Sequence, residues 1–495
     1  MKKIGLSLLI ALSCATISVY SQTFTLDHSF GQNGMTIIPN TSDIHLFDFD
    51  RQGNIVAAGC TYIDISGKNH LTIAKTSADG MIDESFGSHG LVKVTDYDTS
   101  WPLGLKITKD NKIVLIGSFE KVQFKGSEIM MMRFNEDGSV DETFGDKGKV
   151  SLGFSSLIEN WLNMENDDFM LVVGYDVGDL ESNSTEYSVS KYNYEGVLDE
   201  SFGTEGSVLL PNSISPFCMK ILNKGSIIVA GTYVNAPSTF GLGLCKLTPD
   251  GELDTDFADN GIWYTDVVKD SGWTHESITH ILEDSIGNLI LSGPWPYILG
   301  EYSLLTPFLS KISSDGILDT SFGDKGFYWF DFSYISGINQ SVLQIGDYYI
   351  ISGWGGNQKI LCVKSDGTSS GGIYTGGIYY VQDFKRQGDN QIIIGGGYQI
   401  ENSPDIADFA LERITFNVET TIEPVDYSSN GPFIFPNPAK ETLYFSDETA
   451  FEIFDMQGNI LLKSETSVQS VPIGNLRAGV YFVRLGNKIH KLIKK

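Results

Sequence analysis

Cysteine is scarce in this chain of 495 residues: there are five, and one of them, Cys14, falls in the first twenty. The other four, Cys60, Cys218, Cys245 and Cys362, form no Cys-x-x-Cys pair, which excludes a disulfide scaffold and the usual cysteine zinc sites. Histidine is scarce too, with seven residues, and the one close pair, His275 and His280, is one residue too far apart to share a helix face as a zinc motif requires. Basic residues number 34 against 62 acidic ones, and the net charge of -28 repels nucleic-acid phosphates and anionic bilayers. After residue 19 no stretch approaches the roughly 20 uninterrupted apolar residues of a membrane-spanning helix. A Gly-rich loop ending in Lys-Ser/Thr is also missing, and neither a metal nor any other cofactor is expected. Gly367-Thr368-Ser369-Ser370-Gly371 spells a nucleophile elbow, but Gly372 to Gly377 follows it where a helix is needed, so it reads as a turn.

Hydrophobic residues make up 41% of the chain and glycines number 53, the profile of a β-rich globular protein. At the start, Lys2 and Lys3 precede an apolar run from Ile4 to Val19, and Val19-Tyr20-Ser21 suits a signal peptidase, so residues 1–21 read as a secretory signal. Cys14, preceded by Leu12-Ser13, leaves lipoprotein processing open as the alternative.

A repeat dominates the remainder. The string Leu26-Asp27-His28-Ser29-Phe30-Gly31-Gln32-Asn33-Gly34 recurs at 82–90, 140–148, 198–206, 253–261 and 318–326. Its Asp (Asp27, Asp83, Asp141, Asp199, Asp254, Asp319) suits a turn in which the carboxylate bonds nearby amides. Its Phe (Phe30, Phe86, Phe144, Phe202, Phe257, Phe322) is a large apolar plug for the space beneath that turn. The closing Gly (Gly34, Gly90, Gly148, Gly206, Gly261, Gly326) marks a positive φ or a close backbone approach. Two further strings each occur seven times: a β-branched run closing on Gly, as in Ile55 to Gly59, and apolar residues around a basic one, often followed by Asp-Gly, as in Ile73-Ala74-Lys75. Units of about 57 residues hold four short strands, and seven in tandem predict an all-β fold, a seven-bladed β-propeller over residues 22–416. The seventh unit is expected to replace the Asp-Phe string with Thr368-Ser369-Ser370-Gly371-Gly372. On the Leu-Asp-x-Ser-Phe-Gly-x-x-Gly string, the repeats resemble the delta-60 repeat family of bacterial propeller-like proteins, a resemblance that implies a fold and no particular chemistry.

Periodicity stops at Glu419 to Gly431, and residues 417–431 read as a linker. Beyond it, Phe435-Pro436-Asn437-Pro438-Ala439, a strand at 442–445, Phe451 to Leu461, Leu476 to Leu485 and the terminal Lys488 to Lys495 alternate as strands of a small C-terminal β-sandwich over 432–495. This order resembles the type A sorting domain of the type IX secretion system of Bacteroidetes. The resemblance implies that the secretion machinery is a partner and that the chain passes through the periplasm to the outer-membrane surface or the medium. Charge agrees with a separate task for this module, which has a net of +2 where residues 22–431 have -32.

Ligand-binding candidates come from position. The segments after the second string, 61–70, 118–128, 175–187, 232–242, 294–305, 354–359 and 396–408, are expected on one face of the ring, and Trp295, Tyr297 and Trp354 fall among them. Such aromatics stack on sugars or anchor a protein, so the expected ligand is a surface polysaccharide or a protein; packing between blades is the plainer role for the same rings. Asp176, Asp179, Glu181 and Glu186 share one loop without calcium-loop spacing and read as solvated. No residue is assigned a catalytic role. A glycosidase or lyase on the same ring, and a purely structural surface or adhesion component, stay open beside the binding protein.

Overall fold

The short β-branched runs pair with their neighbours in sequence, because hairpins with Gly or Asp-Gly turns satisfy every interior amide locally. The computed structural model describes residues 24–39, 41–42, 44–62, 68–120, 127–155, 162–163, 168–177, 185–236, 239–265, 268–269, 277–299, 302–330, 341–352, 360–373, 377–378, 380–400, 403–416, 434–435, 439–455, 459–485 and 488–495. Among them every regular element is a strand. The chain divides into two compact units, Met1–Val418 and Glu419–Lys495. The leader, the linker residues and Cys14 lie outside the described residues.

Among the described residues the first unit contains seven antiparallel sheets. The first is Ile44–Phe49, Ile55–Tyr62, Asn69–Thr76 and Leu91–Lys93; the second is Thr99–Ile107, Ile113–Glu120, Ser127–Phe134 and Lys149–Ser155. The third is Leu162–Asn163, Phe169–Val177, Thr185–Asn193 and Ser207–Leu209; the fourth is Ile214–Ile221, Ile227–Ala236, Thr239–Leu247 and Ile262–Tyr264. The fifth is His280–Glu283, Leu289–Leu299, Tyr302–Ile312 and Phe327–Trp329; the sixth is Val342–Ile345, Tyr348–Ser352, Ile360–Lys364 and Ser369–Ile373. The seventh joins Tyr380–Gln387, Gln391–Ile400 and Ser403–Phe416 to two N-terminal strands, Phe24–Leu26 and Met35–Ile38, both paired to Ser403–Phe416. First and last strands of the unit thus share a sheet, with Thr25 opposite Thr415. The first strands of consecutive sheets touch from the first sheet to the sixth, Tyr348–Ser352 of the sixth touches Tyr380–Gln387, and Tyr380–Gln387 touches Ile44–Phe49 in turn.

One expectation is corrected here. The segment Thr368 to Gly372 belongs to the sixth sheet, as its outer strand, and that sheet lacks the Asp-Phe string. The seventh sheet has its copy, because Leu26 to Gly34 connects the two N-terminal strands paired to it. Counting along the chain hides this, since the copy that serves the last sheet comes first.

The string has a wider structural role than its own turn. In all six copies the Phe amide bonds the Asp carbonyl at 3.0–3.1 Å, and in five the Asp carboxylate also accepts the hydroxyl of the Ser or Thr two residues on. The closing glycines have φ of 85–98°, and at Gly148 a Cβ would lie 2.2 Å from Val140, so both reasons for glycine apply. Each Phe is at most 1% exposed and sits between sheets: Phe86 in the core of the first and second, Phe202 in that of the third and fourth. In four copies the Gly of the next sheet's turn rests on that ring, with Gly80 against Phe30, Gly138 against Phe86, Gly251 against Phe202 and Gly316 against Phe257. In five copies the residue after Phe donates its amide to the next sheet's turn, as Gly87 does to the Asp137 carbonyl at 2.8 Å. The basic residue of the third string completes the joint: Arg133 pairs with Asp141 at 2.9 Å and with Glu195 of the third sheet's turn at 2.6 Å, its guanidinium 4.6 Å from the Phe144 ring centre. Hydrogen bonding from Thr143, with Lys112 and Arg133 nearby, holds the Asp141 carboxyl down to about 2 against the cost of its burial.

The second unit is a five-stranded antiparallel sheet: Ile434–Phe435, Thr442–Phe454, Gly479–Leu485 and Lys488–Lys494 in that order, with Ile460–Pro472 also on Thr442–Phe454. Register breaks around Thr449 let the long strands turn about a core of Leu443, Phe445, Ile453, Val483 and Leu492.

Candidate functional site

The seven variable segments all connect the second strand of a sheet to the third. Three of them, 232–242, 294–305 and 396–408, are mostly extended hairpin, because pairing continues through Tyr233, Trp295 and Tyr398. Trp295 lies in Leu289–Leu299 opposite Thr306 and is half-buried, edge-on to Phe308 at 6.4 Å and to Trp329 at 5.3 Å. Tyr297 is in the same strand, opposite Leu304, with its side chain outside the described residues, and Trp354 is outside them altogether. Of the three candidates, then, only Trp295 has surroundings to report.

Two other aromatics reach solvent, one of them against Trp295. Trp329, third residue of the outer strand Phe327–Trp329, is 39% exposed and stacks on Phe327 at 5.3 Å, with Trp295 behind it. Tyr264 occupies the matching place in the fourth sheet, 41% exposed and stacked on Tyr233 at 4.4 Å. The sequence holds a signal for both: each is the third residue after the closing Gly of its string, where the outermost strand has no neighbour on its far side.

A second place was not expected. The inner ends of six sheets line an open cavity of about 430 Å³ whose lining includes Asp48, Lys106, Lys220, His280, Asp383 and Lys385 together with leucines. Pairing register explains how they converge. Asp48, Lys106, Lys220, Leu282, Leu343 and Lys385 pair with Val56, Val114, Ile228, Ile290, Ile350 and Ile393, equivalent positions of the second strands. Just before this tier, four inner strands carry a bulge opposite the Gly of the second string or the Gly beside it: Ile44/Leu46, Pro102/Gly104, Pro216/Cys218 and Val381/Asp383. A Cβ on Gly231 would lie 2.0 Å from the Ser215 carbonyl oxygen, so the bulge accounts for that recurrent glycine. The Asp48 carboxylate accepts the Ile107 amide at 2.9 Å, and the Lys385 ammonium donates to the Phe47 carbonyl, each reaching the next inner strand. Burial pushes the Asp383 carboxyl above its ordinary range; Lys385, 3.8 Å away, opposes the shift and Asp48 adds to it.

The remaining motifs are quiet. No disulfide joins Cys60, Cys218, Cys245 and Cys362, and burial raises the Cys245 and Cys362 thiols to about 12. Among the described residues no three His, Cys, Asp or Glu side chains converge as metal ligands would, and no helix is long and apolar enough to cross a membrane. Of the acidic loop, Asp176 lies opposite Glu186 in a hairpin, while Asp179 and Glu181, like His275, lie outside the described residues.

Comparison with known proteins accords with both halves of this description. Residues 433–495 match the secretion system C-terminal sorting domain, and residues 53–86, 108–144 and 225–257 match a β-propeller domain of unknown function, DUF5122. No curated protein matches the chain by sequence. Solved structures with a similar course include an acylaminoacyl peptidase bound to Z-Gly-Gly-Phe-chloromethyl ketone, 14% identical with a TM-score of 0.39, covering 82% of this chain and 58% of that one. PorZ, a surface component of the type IX secretion system of Porphyromonas gingivalis, is 11% identical with a TM-score of 0.30, covering 90% of this chain and 68% of its own. The polysaccharide lyase Uly1 is 12% identical with a TM-score of 0.44, covering 78% and 92%. This chain therefore spans less than two thirds of the peptidase, and likenesses of this degree carry no activity across.

Proposed function

We infer that this chain, with its matches to DUF5122 β-propeller repeats and to a secretion system C-terminal sorting domain, is bound for the cell surface or beyond. From that premise we propose a secreted or surface-held binding protein: a seven-bladed ring over residues 22–416, a linker at 417–431, and a sorting β-sandwich at 432–495 that engages the type IX machinery. Its ligand is a surface polysaccharide or a protein. The observation that carries this reading is the exposed Trp329, braced by Trp295 and Phe327, with Tyr264 in the matching position of the neighbouring sheet. Flat rings held rigid at a sheet edge suit sugar stacking at little conformational cost. The recurrent carboxylates are engaged in turns and joints between sheets, which supports binding over catalysis.

A second reading, a glycosidase or lyase, is favoured by one feature: Asp383, with its raised carboxyl, lines the same cavity as Asp48. Incubation of the purified chain with a polysaccharide panel separates the two. Retention on a polymer without new reducing ends or unsaturated products is the expected result, and product release would replace the binding reading by the enzymatic one. Trp329→Ala is expected to weaken retention about tenfold, the equivalent of one lost stacking contact.

A further inference from the structure

Two neighbouring sheets carry the same aromatic pair at the same rungs. In the fourth sheet Gly231 and Tyr264 both pair with Gly243, and Tyr233 stands two residues beyond Gly231. In the fifth, Gly293 and Trp329 both pair with Phe308, and Trp295 stands two residues beyond Gly293. Tyr233 and Trp295 are therefore equivalent positions of the second strands, and Tyr264 and Trp329 equivalent positions of the outer ones. A Cβ on Gly243 would lie 2.7 Å from that of Tyr233, so this glycine leaves room for the two tyrosines to stack across it. Phe308 takes the same place in the fifth sheet, and there Trp295 meets Trp329 edge-on.

The fold does not demand these rings. The same two positions hold Thr61 and Lys93 in the first sheet, Phe119 and Ser151 in the second, Asp176 and Leu209 in the third, and Tyr398 and Ile37 in the seventh. None of those outer strands has a ring there. Tyr233 packs against the core of the third and fourth sheets and Trp295 against that of the fourth and fifth, so the two pairs face successive gaps, one repeat apart. Tyr264 is stacked on Tyr233 and Trp329 on Phe327, yet both are exposed, so each offers its remaining face. Charge selects among flat ligands. Residues 22–431 have a net charge of -32, and burial, Tyr264 and the charge of Asp259 push the Tyr233 phenol up, which places a carboxylate beside the stacked pair. Acidic polymers are repelled there, whereas the C–H face of an uncharged sugar is not.

Resting on the binding reading above, we propose that Tyr264 and Trp329 are two platforms of one site, which takes an uncharged glycan chain laid along the rim with a sugar stacked on each ring. Once the first contact is made, the second is intramolecular, so affinity depends on the chain being long enough to reach both.

Titration calorimetry on the full chain tests this with the disaccharides and hexasaccharides of the cello-, xylo-, manno- and laminari- series, and with hexagalacturonate as the acidic counterpart. At least one neutral hexasaccharide is expected to bind, its disaccharide about tenfold more weakly or worse, and hexagalacturonate not at all. Trp329→Ala and Tyr264→Ala are each expected to weaken that hexasaccharide about tenfold, the loss of one stacking contact. Equal affinity for disaccharide and hexasaccharide, undiminished hexasaccharide binding in folded Tyr264→Ala, or preference for hexagalacturonate each overturns the two-platform site and leaves a polysaccharide-binding protein standing. Should Tyr264→Ala fail to fold, the chain-length comparison on the parent decides by itself. Binding of no hexasaccharide while a polymer is retained overturns this inference alone, and retention of no polymer removes the reading beneath it as well.

Discussion

The interface between the first and second sheets and that between the sixth and seventh follow the same strand order and are closed differently. At the first, Phe86 fills the gap, Gly138 of the adjoining turn rests on its ring, and Gly87 bonds the Asp137 carbonyl. At the other there is no string and no such plug: the core is assembled from Ile345, Ile350, Phe384, Ile392, Ile414 and Phe416, with Phe24 of the N-terminal strand beside Phe416 at 6.3 Å. The sixth sheet is also short, with inner strands of four and five residues where the second sheet has nine and eight. A repeated local device closes six joints, and the seventh depends on distributed packing beside the strands that bring the two ends of the unit together.

This contrast can be broken experimentally, beginning where the effect is greatest. Deleting residues 24–38 removes both N-terminal strands and the string serving the seventh sheet, and should abolish the cooperative thermal transition of the first unit. A sharp transition in the deleted chain would show that the last sheet closes without them. Phe86→Ala should cost about 3–5 kcal/mol in urea unfolding, the range for emptying a buried aromatic site. A loss below about 1 kcal/mol would make the plug dispensable. Asp141→Asn removes the partner of Arg133 and Lys112 and should cost about 2 kcal/mol at pH 7. Because the Asp141 carboxyl is held near 2, this contribution is complete above about pH 4 and fades as the pH falls towards 2, where parent and variant should converge. Asp366→Ala, in the sixth sheet, loses only the turn bonds to Thr368 and should cost less than about 1 kcal/mol.

Much of the ring was legible in the sequence because its joints are local. Asp, Phe and Gly at fixed offsets each have one physical task, and all six copies perform it. The placement of the first copy was not legible, since strand exchange between the chain's ends leaves no mark on spacing. The cavity was hidden for another reason: its tier mixes three Lys (Lys106, Lys220, Lys385), two Leu (Leu282, Leu343) and Asp48, so no single residue type marks the position in every unit, and only pairing register shows that the positions are equivalent. Trp295 was found by its position in the unit, but its exposed partner Trp329 lies on a different strand, 34 positions away.

Closure is the premise for the cavity and for the seven-part ring alike, and Thr25 and Thr415 report on it directly, their hydroxyl oxygens 2.7 Å apart although 390 residues separate them. With cysteine at both positions and a short thiol-to-thiol cross-linker, the folded chain should give an internally linked species that runs anomalously on a denaturing gel and yields a joined peptide of the two strands. A chain that stays unlinked under conditions in which both thiols are labelled singly would contradict closure.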